Sequence, residues 1–175
     1  ELELDGVLLD LAVARQEHYP EPAFNPVVEP GLLELDLARR DFTVNALALE
    51  IPLDTEALSF LAQEKLLDLY GGQAHLADRQ LAFLHEASIK DDPTRLIRAA
   101  RYGARLGFSL APEAAQQITD TLAAWPWSWH VGDPPEHAPP ALATRLRMEL
   151  ELLLAREPWP QALHQLQTWG GLGVL

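Results

Sequence analysis

Apolar and polar positions along the chain follow two rhythms, one short and one helical. At the start, Leu2 to Leu4 and Val7 to Ala14 alternate around Asp5-Gly6, and an Asp-Gly pair between such runs predicts a β-hairpin. Residues 16–33 are rich in proline and acid (EHYPEPAFNPVVEPG) and predict an ordered loop. From Glu34 to about Leu49 the spacing turns helical, with Leu35, Phe42, Leu47 and Leu49 apolar and Arg39, Arg40 and Asp41 polar. Further helices are predicted over Thr55–Leu66 and Leu76–Leu84, separated by a turn at Tyr70-Gly71-Gly72. The strongest helix spans about Asp92 to Leu106, opened by Asp91-Asp92-Pro93 and closed by Gly107. Glu113–Trp125, Ala141–Ala155 and Gln161–Trp169 complete the helical set, with a proline- and tryptophan-rich loop between the first two.

This order predicts an α+β chain that is predominantly α. A few strands and a helix fill residues 1–50, and a helical module fills residues 51–175. At 175 residues there is room for one substantial domain or two small ones sharing an interface. The chain has no apolar run of membrane-spanning length and no basic leader, and it lacks cysteine. Disulfides and thiolate metal sites are thereby excluded, and a cytoplasmic setting is expected. The net charge of -13 argues against a polyanion partner, so the positions of the few arginines decide the matter.

Four of the 13 basic residues lie on the helix that follows Asp92. With Arg95 at zero and about 100° per residue, Arg98, Arg101 and Arg105 fall between about 240° and 300°. Leu96, Ile97, Ala100 and Ala104 fall between about 100° and 200°, on the other side. The stripe is either a site for negative charge or a set of ion pairs. Asp92, three residues before Arg95, can converge with it near the helix start. A carboxylate accepts hydrogen bonds and a guanidinium donates them. Cytosine and adenine each pair an amino donor with a ring-nitrogen acceptor, so an Asp–Arg pair matches both and mismatches uracil and guanine. Asp92 has a second reading as the helix N-cap, with Asp91 able to take that place.

Longer stretches resemble a known family. DDPTRLIRAARYGARLGF is similar to the EDxxR and RAxRFxxRLGF segment of class II tRNA nucleotidyltransferases, the CCA-adding and bacterial poly(A) polymerase family. RRDFTVNALAL at 39–49 is similar to their RRDFTxNAxA motif. LDLAVARQEHY resembles the strand that carries a metal carboxylate, here Asp10, and RLRMELELLL with the later WGGL resembles the start of the helical body.

The resemblance implies the last part of a nucleotidyltransferase head, a neck and the start of a body. It implies transfer of nucleotide monophosphates from CTP or ATP to a tRNA 3′ end without a nucleic-acid template, in the presence of Mg2+. It assigns Asp10 as a catalytic metal ligand. It places Arg39, Arg40, Asp41, Asn45, Asp92, Arg95, Arg98 and Arg101 at the nucleotide. Among these, Asp92 and Arg95 would read the base, Asp41 would suit a ribose hydroxyl, and Arg98 would reach phosphate.

Departures from the family pattern are equally informative. Its Asp-x-Asp metal pair should precede Leu2 and is absent, so the chain reads as N-terminally truncated and inactive alone. Asp91, His75 and Ala82 stand where glutamate, aspartate and arginine are usual. Residues 16–33 lack the basic flexible-loop pattern. CC-adding, A-adding, CCA-adding and poly(A) polymerase activities all stay open, as does a degenerate non-catalytic binding module.

The other candidates are weak. The six histidines are scattered without metal-ligand spacing. Gly71-Gly72 is a turn, since no Gly-Lys-Ser/Thr follows it. Trp125, Trp127 and Trp129 suit packing better than base stacking.

Overall fold

The computed structural model describes residues 2–50 and 65–175. Strands β1 (Leu2–Leu4) and β2 (Val7–Leu9) form the expected antiparallel hairpin, with Leu4 opposite Val7. Asp5 and Gly6 both adopt positive φ, 50° and 79°, the geometry that matches the strand twist in a two-residue turn. The second strand stops at Leu9 rather than Ala14, so Asp10 lies in the exposed stretch beyond it.

The predicted loop over residues 16–33 is largely a second hairpin. Strands β3 (Arg15–His18) and β4 (Val27–Pro30) pair antiparallel, His18 opposite Val27. Neither face of this ribbon is buried, so the sequence carries no apolar alternation to announce it. Within its connection Ala23 is fully buried at φ 65°. Its N–H donates to the Asp91 carbonyl and its carbonyl accepts from Ala141, tying the ribbon to the helices.

The long helix expected from Glu34 to Leu49 is broken into three pieces. Helix α1 covers Leu33–Ala38, a 3-10 turn covers Thr43–Asn45, and strand β5 covers Ala48–Glu50. The cause lies at Asp41-Phe42. Phe42 is extended, fully buried and bridged to Phe83, while the Asp41 carboxylate takes the Phe42 N–H and the Asn45 amide. Strand β6 (Lys65–Leu67) pairs with β5, so the last two residues of the helix expected over Thr55–Leu66 are strand. The rest of that helix falls outside the described residues.

Helix α2 (Gly72–Ala77) ends early because Arg79 adopts φ 54°. The chain then enters β7 (Gln80–Leu81), which runs parallel to β8 (Ser109–Leu110). The helix expected over Leu76–Leu84 is therefore replaced by a turn and a short strand. After a short α3 (Ser88–Asp91) come α4 (Thr94–Leu106), α5 (Pro112–Ala124), α6 (Thr144–Arg156) and α7 (Trp159–Thr168). Helix α4 ends where predicted, with Gly107 at φ 67°.

Helix α4 is the centre of the molecule. Its Leu96, Ile97 and Ala100 are fully buried against Ile118, Leu146, Leu153 and Leu166 from the three later helices. Burying each large side chain of this kind stabilises the fold by roughly 1.5–3 kcal/mol. Gly103 lets α7 approach, since a Cβ there would lie 2.9 Å from the Gln165 side-chain oxygen. The indole N–H groups of Trp125, Trp127 and Trp129 donate to the carbonyls of Trp129, Lys90 and Pro134, so all three rings are committed to packing. Among the described residues no helix is long and apolar enough to cross a membrane.

Candidate functional site

Two turns of chain and two helices converge on an open cavity of about 780 Å³. The β3 ribbon supplies Arg15, Glu17 and Tyr19; the turn after α1 supplies Arg39, Arg40, Asp41 and Asn45. The start of α4 adds Asp92, Arg95 and Arg98, and α6 adds Arg145 and Glu149. Seven of the eight residues assigned to the nucleotide from sequence therefore line one cavity, although 47 residues separate Asn45 from Asp92. Six of the chain's 13 basic side chains stand there against four carboxylates, a local positive excess in an acidic molecule.

Asp92 lies two residues before α4 and also faces the cavity. Its Oδ1 accepts the Thr94 N–H at 3.0 Å and the Thr94 hydroxyl at 2.6 Å. Its Oδ2 accepts from Arg145 Nη1 at 3.0 Å. A carboxylate offers about four acceptor positions, so one on Oδ2 remains for a ligand. The helix-start N–H is thus taken by Asp92 and not by Asp91. Burial instead raises the Asp91 carboxyl above the usual aspartate range, opposed by the cation of Arg95.

Arg95 is buried beside it. Nη1 donates to His85 Nε2 at 3.1 Å and to Ser88 Oγ at 3.0 Å, and Nη2 donates to the Arg39 carbonyl at 2.8 Å. Of the five N–H groups of a guanidinium, two are left for a ligand. One acceptor position on Asp92 and two N–H groups on Arg95 thus remain free among the residues that line the cavity.

Asp41 has a different position from the one its sequence suggested. Its carboxylate accepts from the Phe42 N–H, from Asn45 Nδ2 and twice from Arg98, at 2.8 and 2.6 Å. All four acceptor positions are used inside the protein, leaving none for a ribose hydroxyl. Its work is to aim Asn45 and Arg98. Burial opposes the charge on Arg98, but Asp41 overcomes this and holds the guanidinium charged far above the working range. Glu149 at 3.1 Å and the face of Tyr102, 5.7 Å from the ring centre, complete its surroundings.

Arg39 and Arg40 are organised by Asp36, three and four residues earlier on α1. Arg39 also pairs with Glu17 at 3.0 Å, while the Arg40 side chain remains 43% exposed toward solvent. Against the penalty of burial, hydrogen bonds from Arg39, the Arg15 N–H and Arg40 hold the Asp36 carboxyl below its usual range.

Arg101 is not at the cavity. It is buried under Glu149 and Glu157, on the side of α4 that meets α6 and the start of α7, so the fold does not bring it together with the other seven. Arg145 and Glu149 were not singled out beforehand. The signal was present: the two are four residues apart on a helix already placed in the body.

Asp10 is exposed, outside the cavity, and among the described residues no group of three His, Cys, Asp or Glu side chains could hold a metal. Hard divalent cations need several oxygen ligands. The described donor set therefore does not fit a magnesium ion at Asp10.

Known proteins resemble this chain in sequence and in fold. Residues 2–82 match the family described as Poly A polymerase head domain. The CC-adding tRNA nucleotidyltransferase of Deinococcus radiodurans is 44% identical over 167 residues, 95% of this chain and 38% of that protein. The chain is similar to the tRNA nucleotidyltransferase and poly(A) polymerase family. A CCA-adding enzyme in an apo form superposes with a TM-score of 0.73 at 26% identity, covering 93% of this chain and 34% of the other. A tRNA nucleotidyltransferase complexed with a primer tRNA and an incoming ATP analog superposes at 0.65 with 29% identity, covering 85% and 39%. The chain thus spans about two-fifths of the length of the nucleotidyltransferase from Deinococcus.

Proposed function

We propose that this chain forms the nucleotide-selecting pocket of a tRNA nucleotidyltransferase, and that a protein carrying it adds C, A or both from CTP and ATP to tRNA 3′ ends. What supports the reading is the pairing of one acceptor left on Asp92 with two donors left on Arg95, at the edge of an arginine-lined cavity. The CC-adding relative matches 95% of the chain, which favours cytidine as the nucleotide added.

In this reading Asp92 accepts the exocyclic amino group and Arg95 donates to the ring nitrogen and, in cytosine, to O2 as well. Arg40 and Arg98 lie at hand for phosphate oxygens, which guanidinium groups bind with charge-assisted hydrogen bonds. Asp41 acts through Arg98 and Asn45, which it orients, and Arg145 through Asp92. The cavity draws on both parts of the proposed division, residues 1–50 and 51–175, so selection depends on the two being in contact. Magnesium would need further carboxylates beside Asp10, since hard divalent cations take several oxygen ligands.

The test is product analysis. A protein carrying this chain is incubated with tRNA lacking its terminal CCA, with labelled CTP and ATP, and the 3′ ends are sequenced. Addition of C, CC, A or CCA supports the reading, and the added bases decide among them. Long adenosine tracts on any RNA would replace it with a poly(A) polymerase, and no addition would favour a binding module.

A further inference from the structure

The arginine assigned to the base is itself held by a residue that does not line the arginine-lined cavity. His85 sits on the segment between β7 and α3, half-buried, with its carbonyl accepting from the Gln117 side chain of α5 at 2.9 Å and from the Ser88 N–H at 3.1 Å. Its ring meets Arg95 Nη1 through Nε2 at 3.1 Å. Arginine carries only donors, so Nε2 must be the acceptor, and a neutral imidazole then carries its proton on Nδ1.

We propose that His85 is a positioning residue for base selection: its Nε2 lone pair fixes the Arg95 guanidinium so that two N–H groups stay available to the base. The inference rests on the reading of Arg95 given above. Three acceptors arrive on Arg95 from three separate places: His85, Ser88 Oγ and the Arg39 carbonyl. Two points on Nη1 and one on Nη2 leave the planar group no freedom to rotate. Without His85 one Nη1 hydrogen would be left unpaired in a buried position, and the guanidinium would turn to satisfy it at the expense of the ligand edge. Burial, and then the nearby Arg95 cation, push the His85 pKa down to about 4, which keeps the lone pair free throughout the neutral range.

Two substitutions and a spectroscopic readout test this on the 175-residue chain. His85→Leu keeps bulk and removes the acceptor, whereas His85→Gln restores an acceptor oxygen at similar reach. Affinities for CTP and UTP are measured for both and for Arg95→Met, with melting curves to confirm folding. Nitrogen NMR of the wild type reports the tautomer. The expected result is an Nδ1-protonated ring, a roughly tenfold loss of CTP-over-UTP preference in His85→Leu, and recovery to within about threefold of wild type in His85→Gln. An Nε2-protonated ring in the wild type would overturn the proposal. So would an intact preference in folded His85→Leu while Arg95→Met loses it, or equal losses in His85→Leu and His85→Gln. Intact preference in Arg95→Met would overturn the functional reading itself and this inference with it.

Discussion

Arg95 and Arg98 stand on the first turns of α4, and Arg101 and Arg105 on its last turns, all on one side of the helix. Arg95 is satisfied by neutral acceptors and Arg98 chiefly by Asp41, and both reach the cavity. The other two are taken up by carboxylates that arrive from elsewhere in the chain. Arg101 pairs with Glu149 and Glu157, and Arg105 with Glu157. The Glu157 side chain is wholly buried. Hydrogen bonding by Arg105 leads the causes that hold its carboxyl below the usual range, outweighing burial, and Arg101 adds to it. The same residue type at the same spacing thus faces a cavity at one end of the helix and ties elements together at the other. What separates the ends is position: Arg95 and Arg98 line the cavity, while Arg101 and Arg105 lie outside it, held by Glu149 and Glu157.

The largest effect should come from the cohesive end. Glu157→Ala leaves the buried Arg101 without one of its two carboxylates and removes the carboxylate that pairs with Arg105. A loss of roughly 3–5 kcal/mol is expected, which lowers the melting temperature by about 10 °C in a chain of this size. Circular dichroism melts measure it, and nucleotide preference below the melting range should not change. A shifted base preference would break the division between the ends.

Next comes the recognition end. Asp41→Ala removes both hydrogen bonds that aim Arg98. It should weaken CTP, ATP, UTP and GTP by a similar factor, on the order of tenfold, because phosphate contacts carry no base information. Equilibrium binding of the four nucleotides is the check. Selective loss of one base would mean that Asp41 belongs with Asp92.

A smaller effect concerns pH. The folded His85 pKa, near 4, lies below its unfolded value of 6.5, so the unfolded chain binds the proton first as pH falls. Stability from this group is fully present above pH 6.5, drains away between 6.5 and 4, and is level below 4. Because the ring is only partly buried, the loss should be about 1–2 kcal/mol. Denaturant titrations of wild type and His85→Leu across that window isolate the contribution as the difference in slope. The smallest effect belongs to the exposed pair Arg147–Glu151 on α6. Arg147→Ala should leave melting and nucleotide binding unchanged.

Much of the recognition end was legible in the residues. Asp92-Pro93 and Gly107 mark the ends of α4, and the apolar Leu96, Ile97, Ala100 stripe marks the side that meets the core. The Arg39-Arg40-Asp41 cluster and the Asp92–Arg95 pair could be nominated, and the fold brings them to one cavity. Several features left no local trace. The β3–β4 ribbon buries neither face, so no alternation betrays it. Helix α2 stops at a non-glycine residue, Arg79, in a left-handed conformation. Periodicity gives only the face of a helix, so it could not separate Arg101 from Arg95 and Arg98. The partners of Arg101, Glu149 and Glu157, are 48 and 56 residues away. The saturation of Asp41 is likewise tertiary, since half of its partners come from Arg98.

The measurement closest to the central claim is base discrimination at Asp92 and Arg95. Dissociation constants for CTP and UTP are determined on wild type, Asp92→Ala, Arg95→Ala and Arg98→Ala, with a melting curve for each. Wild type should prefer CTP by roughly 1–3 kcal/mol, the span of a good pair of contacts to a base edge. Asp92→Ala and Arg95→Ala should bring the two nucleotides together, while Arg98→Ala weakens both and keeps their ratio. Asp92→Ala should also melt lower by about 1 kcal/mol, since the carboxylate starts the helix as well. An unchanged CTP-to-UTP ratio in folded Asp92→Ala and Arg95→Ala would contradict the account, and the cavity would then be a phosphate site without a base reader.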